Sequence, residues 1–340
     1  MTFEEVLANA KDCMGPVCKA CPVCNGRVCG AKVPGPGAKG SGTVAIKNYE
    51  AWQKVDLVMD TICENKPVDT TLELFGETFK YPIFAAPVGA MKLHYGEKYD
   101  DLEYNNILVS GCAAAGIAAV TGDGTNPAVV EGAAKAIKAA GGKGIATVKP
   151  WDIDTMKKKM DLVKDAGAFA LAMDIDAAGL PFLKGLTPPA GSKTTEELAA
   201  IIREAGRPFI IKGIMSVKGA LKAKEAGAAG IVVSNHGGRV LDGCAATASV
   251  LEEIAEAVGD SMKIFVDGGI RSGLDIFRAL ALGADAVLIG RPYVVAVYGG
   301  AEEGIRVYTE KLAAELADAM AMCGAHSLDE ITRDMVSIEK

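Results

Sequence analysis

The 340-residue chain predicts a (β/α)8 barrel. Three observations carry that expectation. Eight short apolar runs alternate with eight amphipathic segments. Each run is bounded by Gly or Pro and reads as a strand buried on both faces. No G-x-G-x-x-G follows the first run, as a doubly wound sheet would tend to show. Half the residues are hydrophobic and 23% are charged, which excludes a disordered chain.

In chain order the runs are YPIFAAP (81–87), IAAVTG (117–122), GIATVKP (144–150), AFALAMDID (168–176), PFIIKGI (208–214), AGIVVSNHGG (229–238), KIFVDGGI (263–270) and AVLIGRPYV (286–294). The helical segments between and after them span about 100–115, 126–140, 152–166, 194–206, 216–226, 245–258, 273–283 and 303–322. Thr194 and Thr195 before Glu196 and Glu197 mark a helix start; Gly227, Gly259 and Gly283 mark helix ends. LELFGETFKYP reads as a hairpin turning at Gly76 and closing the barrel bottom. Ahead of the barrel, which occupies 43–340, lies a Cys-rich segment over 1–42. It ends in AKVPGPGAKGSG, read as a linker.

The net charge of −7 lacks the basic footprint of a nucleic-acid binder. The start, MTFEEVLANAKDCM, has acids where an export signal has a basic region, and no apolar stretch is long enough to cross a membrane. A cytoplasmic setting is expected. Nine cysteines, five within the first 29 residues, then read as reduced thiols or metal ligands. Cys18-x2-Cys21-x2-Cys24-x4-Cys29 is close to a ferredoxin-type run. The same four thiols could hold tetrahedral Zn²⁺ or remain free.

Barrel active sites form where strands end. Those ends supply Lys149, Asp174, Asp176, Lys212, Ser234, His236, Arg239, Asp267, Gly268, Gly269, Arg271, Gly290 and Arg291. The glycine-rich turns DGGIR and GR follow the last two strands, where barrels bind phosphate. His236 is one of three histidines, and an imidazole is the side chain suited to taking a proton at physiological pH, which fits a base. His94 and His326 read as surface or loop residues. Arg239 suits a planar carboxylate. Lys212 ends an apolar run and reads either as a Schiff-base lysine or as a fixed cation beside an anionic cofactor.

The segment IVVSNHGGRVLDG, followed by IFVDGGIRSGLDIFRALALGADAVLIGRP, closely resembles the FMN-dependent α-hydroxy acid oxidase and dehydrogenase family. The resemblance covers most of 43–340. It implies FMN at the strand ends and oxidation of a 2-hydroxy acid to a 2-oxo acid. It implies His236 as the base, Asp174 as its partner, Arg239 on the substrate carboxylate and Lys212 against the flavin, stabilising its reduced form. Pro87, Val88, Gly89, Thr121, Thr147 and Ser234 would contact the cofactor. Asp267, Gly268, Gly269, Arg271, Gly290 and Arg291 would cradle its phosphate. It also implies an assembly of identical chains.

The chain departs from the family around the substrate. Lys149 stands where the family has a tyrosine, Asp123 where a Trp is frequent, and KVPGPGAKGSG has no Tyr. The loop after the fourth run has no Arg. Lys149 is accordingly read as a substrate contact. These departures leave open an FMN enzyme of another reaction, such as an alkene reductase or isomerase. The cysteine run leaves open an electron-transfer module with a redox partner.

Overall fold

The computed structural model describes every residue except 181, 182, 184, 186, 188, 189, 339 and 340. Part of the arginine-free loop therefore lies outside the described residues.

The expected eight strands form a closed, all-parallel barrel. They are β4 (Ile83–Ala85), β5 (Ala118–Thr121), β6 (Gly144–Val148), β7 (Ala170–Asp174), β8 (Phe209–Ile214), β9 (Gly230–Val233), β10 (Lys263–Val266) and β11 (Ala286–Ile289). β11 pairs with β4 and closes the ring. All but one of the residues in β4 to β9 and β11 are buried, the exception being Gly213, which is why these runs carry no polar alternation. Three short strands precede the barrel: β1 (Val55–Leu57), β2 (Leu72–Leu74) and β3 (Glu77–Phe79). β2 and β3 form the expected hairpin, turning through Phe75 and Gly76, both at positive φ. Leu72, Leu74 and Phe79 plug the barrel floor against Phe84, Phe169 and Phe265.

The outer ring holds α4 (Asp101–Ala114), α5 (Pro127–Ala139), α6 (Ile153–Asp165), α7 (Thr195–Ala205), α8 (Val217–Glu225), α9 (Ala248–Val258), α10 (Gly273–Ala281) and α11 (Arg291–Met322). Capping boxes start α4 at Asp100, α7 at Thr194 and α10 at Ser272. α11 begins earlier than the expected 303. Pro292 sits in its first turn, where a missing N–H costs nothing, so the end of the last apolar run is helix, not strand. The helix kinks at Ala301, whose φ is 47°.

Sequence periodicity missed three α-helices, the last of them the one-turn α3 (Met91–His94). α1 (Phe3–Cys13) is announced by the capping box of Thr2 with Glu5. It lies along α11, where Gly299 lets the Val6 carbonyl approach. α2 (Thr43–Trp52) lies across the barrel mouth and gives Trp52 Nε1 to the Gly268 carbonyl at 2.8 Å. The stretch read as a linker is tied down. Lys39 N donates to the Gly238 carbonyl, and Lys39 Nζ to those of Gly179 and Val240.

Candidate active site

Every residue expected at the site, the cysteines apart, lies in or just beyond the C-terminal end of a barrel strand. Pro87, Val88 and Gly89 follow β4, and Asp101 holds that loop through the N–H groups of Ala90 and Met91. Val88 stands between Gly122 and Gly290, at the ends of β5 and β11.

The loop after β9 is locked by α2. Asn48 and Asn235 exchange two amide hydrogen bonds at 2.8 Å, both side chains buried. Asn235 also accepts from Gly238 N, which fixes a tight 3-10 turn. His236 in that turn has a φ of 57°, a left-handed conformation a non-glycine residue adopts only under constraint. A Cβ on Gly238 would meet Ala38 and Val44, so glycine there admits the N-terminal segment as well as the turn.

Lys212 is buried and donates to Ser234 Oγ at 2.9 Å, with Asp267 Oδ2 at 3.3 Å. Burial alone would push its pKa down. Asp267, Asp176 and Asp174 outweigh burial and raise it above the ordinary lysine value. A Schiff-base amine must be neutral to attack. The geometry therefore favours the fixed cation.

His236 does not pair with Asp174, as the resemblance implied. Its Nδ1 lies 3.1 Å from Asp176 Oδ1. Asp174 instead accepts from Lys149 Nζ at 3.0 Å, in a pair whose side chains are 6% and 8% exposed. Asp176 comes from the 3-10 turn Ile175–Gly179 after β7. Asp123 is also not a pocket wall. Its buried carboxylate accepts from Lys149 N, Trp151 Nε1 and Lys159 Nζ, and so clamps the β6 end to α6.

The arginines face the N-terminal segment. Arg239 Nη1 donates to the carbonyls of Gly35 and Gly37, and Nη2 lies 3.4 Å from His94 Nε2. Arg291 Nη1 donates to Pro36 O at 3.1 Å and Arg271 Nε to Cys24 O at 2.6 Å. His94 is half-buried at the mouth rather than on the surface, and His326 is buried in its loop. Gly268 and Gly269 lie against α2, where any Cβ would strike Asn48. Their glycines therefore serve helix packing too, a role the phosphate reading did not include.

Cys18, Cys21, Cys24 and Cys29 are half-buried and within electrostatic reach of one another. Burial pushes the Cys18 thiol up to about 11. Burial also works against the Cys24 thiolate, but Arg271 and Arg291 bring that thiol below its ordinary value. Among the described residues no three Cys, His, Asp or Glu side chains are drawn together to hold a single metal ion.

The mouth fits FMN on its own atoms. Thr121 Oγ1, Thr147 Oγ1 and Asp267 Oδ1 are buried without a partner. They lie beside a buried cation and two glycine turns carrying Arg. A closed barrel with this donor set defines a barrel enzyme that holds a polar, phosphate-bearing cofactor at its mouth.

The comparisons narrow that class. The profile of the FMN-dependent dehydrogenase family matches residues 36–182 and 187–338, and the chain belongs to that family. It is 31% identical over 342 residues to the 4-hydroxymandelate oxidase of Amycolatopsis orientalis, covering 87% of this chain and 91% of that protein. It is 46% identical over 154 residues to a peroxisomal (S)-2-hydroxy-acid oxidase of Oryza sativa subsp. japonica, covering 45% of this chain and 41% of that one. The crystal structure of mandelate oxidase with (S)-2-phenylpropionate superposes with a TM-score of 0.80 at 28% identity, covering 99% of this chain and 98% of that one. The chain is thus an FMN-dependent oxidoreductase of the 2-hydroxy acid oxidase and dehydrogenase group. Among the described residues no helix is long and apolar enough to cross a membrane.

Proposed function

We propose that this chain oxidises a small 2-hydroxy acid to its 2-oxo acid, with His236 as the base and Arg239 as the carboxylate anchor. The observation that carries the reading is His236 held at the barrel mouth beside a carboxylate, in a loop that also carries Arg239. His236 takes the proton of the substrate hydroxyl. The guanidinium of Arg239, steadied by the Gly35 and Gly37 carbonyls, presents its remaining N–H groups to the substrate carboxylate. Bound FMN supplies the two-electron acceptor. Thr121, Thr147, Ser234 and the Pro87–Gly89 loop would hold its ring, Lys212 would set a positive charge beside it, and the Asp267–Arg271 and Gly290–Arg291 turns would take its phosphate. Lys149 is tied to Asp174, so its charge is balanced before substrate arrives.

Cys18, Cys21, Cys24 and Cys29 form the electron exit in this reading, as ligands of an iron–sulfur cluster serving a one-electron redox partner in the cytoplasm. What supports the cluster over zinc is the spacing of the run, whose C-x2-C-x2-C core is like that of a bacterial ferredoxin, with all four thiols half-buried.

The test is an absorption spectrum of protein purified without oxygen, with iron, sulfide and zinc analysis, followed by L-lactate, (S)-mandelate and 4-hydroxymandelate. A flavin spectrum bleached by one of these acids is expected, with iron and sulfide present. A flavin that none of them reduces overturns the substrate reading. Zinc, or no metal, overturns the cluster.

A further inference from the structure

Two carboxylates, two residues apart, compete for His236, and the structure separates them. The near oxygen of Asp174 is committed to Lys149 Nζ at 3.0 Å. Asp176 Oδ1 lies 3.1 Å from His236 Nδ1. An ionised carboxylate only accepts, so this contact requires the ring proton on Nδ1. In the neutral ring Nε2 is then the nitrogen without a proton.

Room for Asp176 is built into β8. The pairing of β8 with β9 slips between Lys212 and Ile214. Gly213, at a φ of 104°, occupies that slip. A Cβ there would stand 2.5 Å from both Cβ and Cγ of Asp176. Any other residue at 213 would thus push this carboxylate off its histidine. A bulge that re-aims a side chain at a strand end is a recurrent active-site device.

The surroundings keep Asp176 charged. It faces His236 from the loop after β9, Lys212 from β8, Lys149 from β6 and the Cys244 thiol. Burial works against the charge, but His236, Lys212 and Lys149 outweigh it and hold the carboxyl below its ordinary value. Its second oxygen, Oδ2, has no partner, so among its hydrogen bonds the one to His236 fixes its orientation. Asp174 also keeps one unpartnered oxygen, but its other one is held by the lysine that stands where the family has a tyrosine.

The geometry points to Asp176 as the positioning residue of His236, with Lys149 having taken Asp174 out of that role. The inference rests on the functional reading above only for its kinetic arm. Because the chain has three histidines, ¹⁵N-histidine NMR of the FMN-loaded enzyme, with the rings neutral, reads the tautomer of each. Wild type should show His236 protonated on Nδ1. D176N should lose that signature, because a carboxamide can donate to Nδ1 and favour the other tautomer; the same exchange in a serine protease triad costs about 10⁴-fold. Flavin reduction by the best of the three acids should fall by roughly 10³–10⁴-fold in D176N with FMN content unchanged, and by less than about 10-fold in D174N. G213A is the second variant, should D176N not fold; it should lose the same signature. K149M/D174N removes both members of the buried pair and serves where D174N leaves an unbalanced lysine. The inference is overturned if D176N and G213A keep the Nδ1–H form, or if D174N or K149M/D174N abolishes it. A wild-type flavin that no acid reduces would sink the functional reading, while the tautomer would still decide the roles of Asp174 and Asp176.

Discussion

The floor and the mouth of this barrel are both buried, yet they are built from opposite materials. On the floor, Phe79 meets Phe84 edge to face at 5.0 Å, and Phe84 meets Phe265 at 5.6 Å. At the mouth the buried groups are Lys149, Asp174, Lys212, Ser234 and Asp267. Several hydrogen-bonding atoms there lack partners: Thr121 Oγ1, Thr147 Oγ1, Asp174 Oδ1, Asp176 Oδ2 and Asp267 Oδ1. Each such atom costs about 1–3 kcal/mol when nothing occupies the site. The floor therefore stabilises the fold, and the mouth draws on that stability to keep donors and acceptors ready for a ligand.

His236→Ala breaks the mouth. Flavin reduction by the preferred acid should fall by about 10²–10⁴-fold, the range for a lost acid–base group. FMN should stay bound, because His236 is assigned no contact to it. Stopped-flow reduction and the flavin content of the purified protein check this. Full reduction kinetics in the variant would remove His236 from the base role.

Phe84→Ala breaks the floor. The side chain is fully buried, so the truncation should cost about 3–5 kcal/mol of unfolding free energy. The reduction rate per bound FMN should stay within roughly twofold, since Phe84 lies in the floor cluster with the hairpin residues. Denaturant unfolding and stopped-flow measurements on the same preparation separate the two effects. A variant of ordinary stability with slowed chemistry would reverse the division of labour.

The two regions also differ in how far the sequence exposes them. The barrel is legible because strands buried on both faces leave continuous apolar runs, and Gly or Pro punctuates each one. The floor hairpin is legible through Gly76. At the mouth, SNHGGR and DGGIR mark the chemistry, but the choice between Asp174 and Asp176 is not local. It depends on Lys149 one strand away, on the slip at Gly213, and on a 3-10 turn that no periodicity announces. Asn48 was equally hidden: it acts from α2, 187 residues before Asn235. Polar and glycine composition made residues 31–42 look like a linker. The partners that pin this stretch, Arg239, Arg291 and the carbonyls of Gly179, Gly238 and Val240 among them, are remote in sequence. α1 was within reach, since Thr2 and Glu5 have the spacing of a capping box.

The smallest expected effect lies where the mouth meets the N-terminal segment. His94 Nδ1 is buried without a partner, and Nε2 lies 3.4 Å from Arg239 Nη2. Burial first, and the Arg239 charge second, lower the pKa of His94 from 6.5 to about 4. A base depressed in the folded state takes up its proton more readily when unfolded. Stability is therefore full above about pH 6.5, falls as pH drops toward 4, and levels off below. His94 is partly exposed, so solvent screening trims the loss to about 1 kcal/mol. His94→Gln should flatten that stretch of the stability curve by the same amount, leaving the region above pH 7 unchanged. Denaturant unfolding at half-unit pH steps checks it. An unchanged slope in H94Q would show that the acid sensitivity of the mouth comes from its carboxylates, and would place His94 among groups that stay neutral without a cost to the fold.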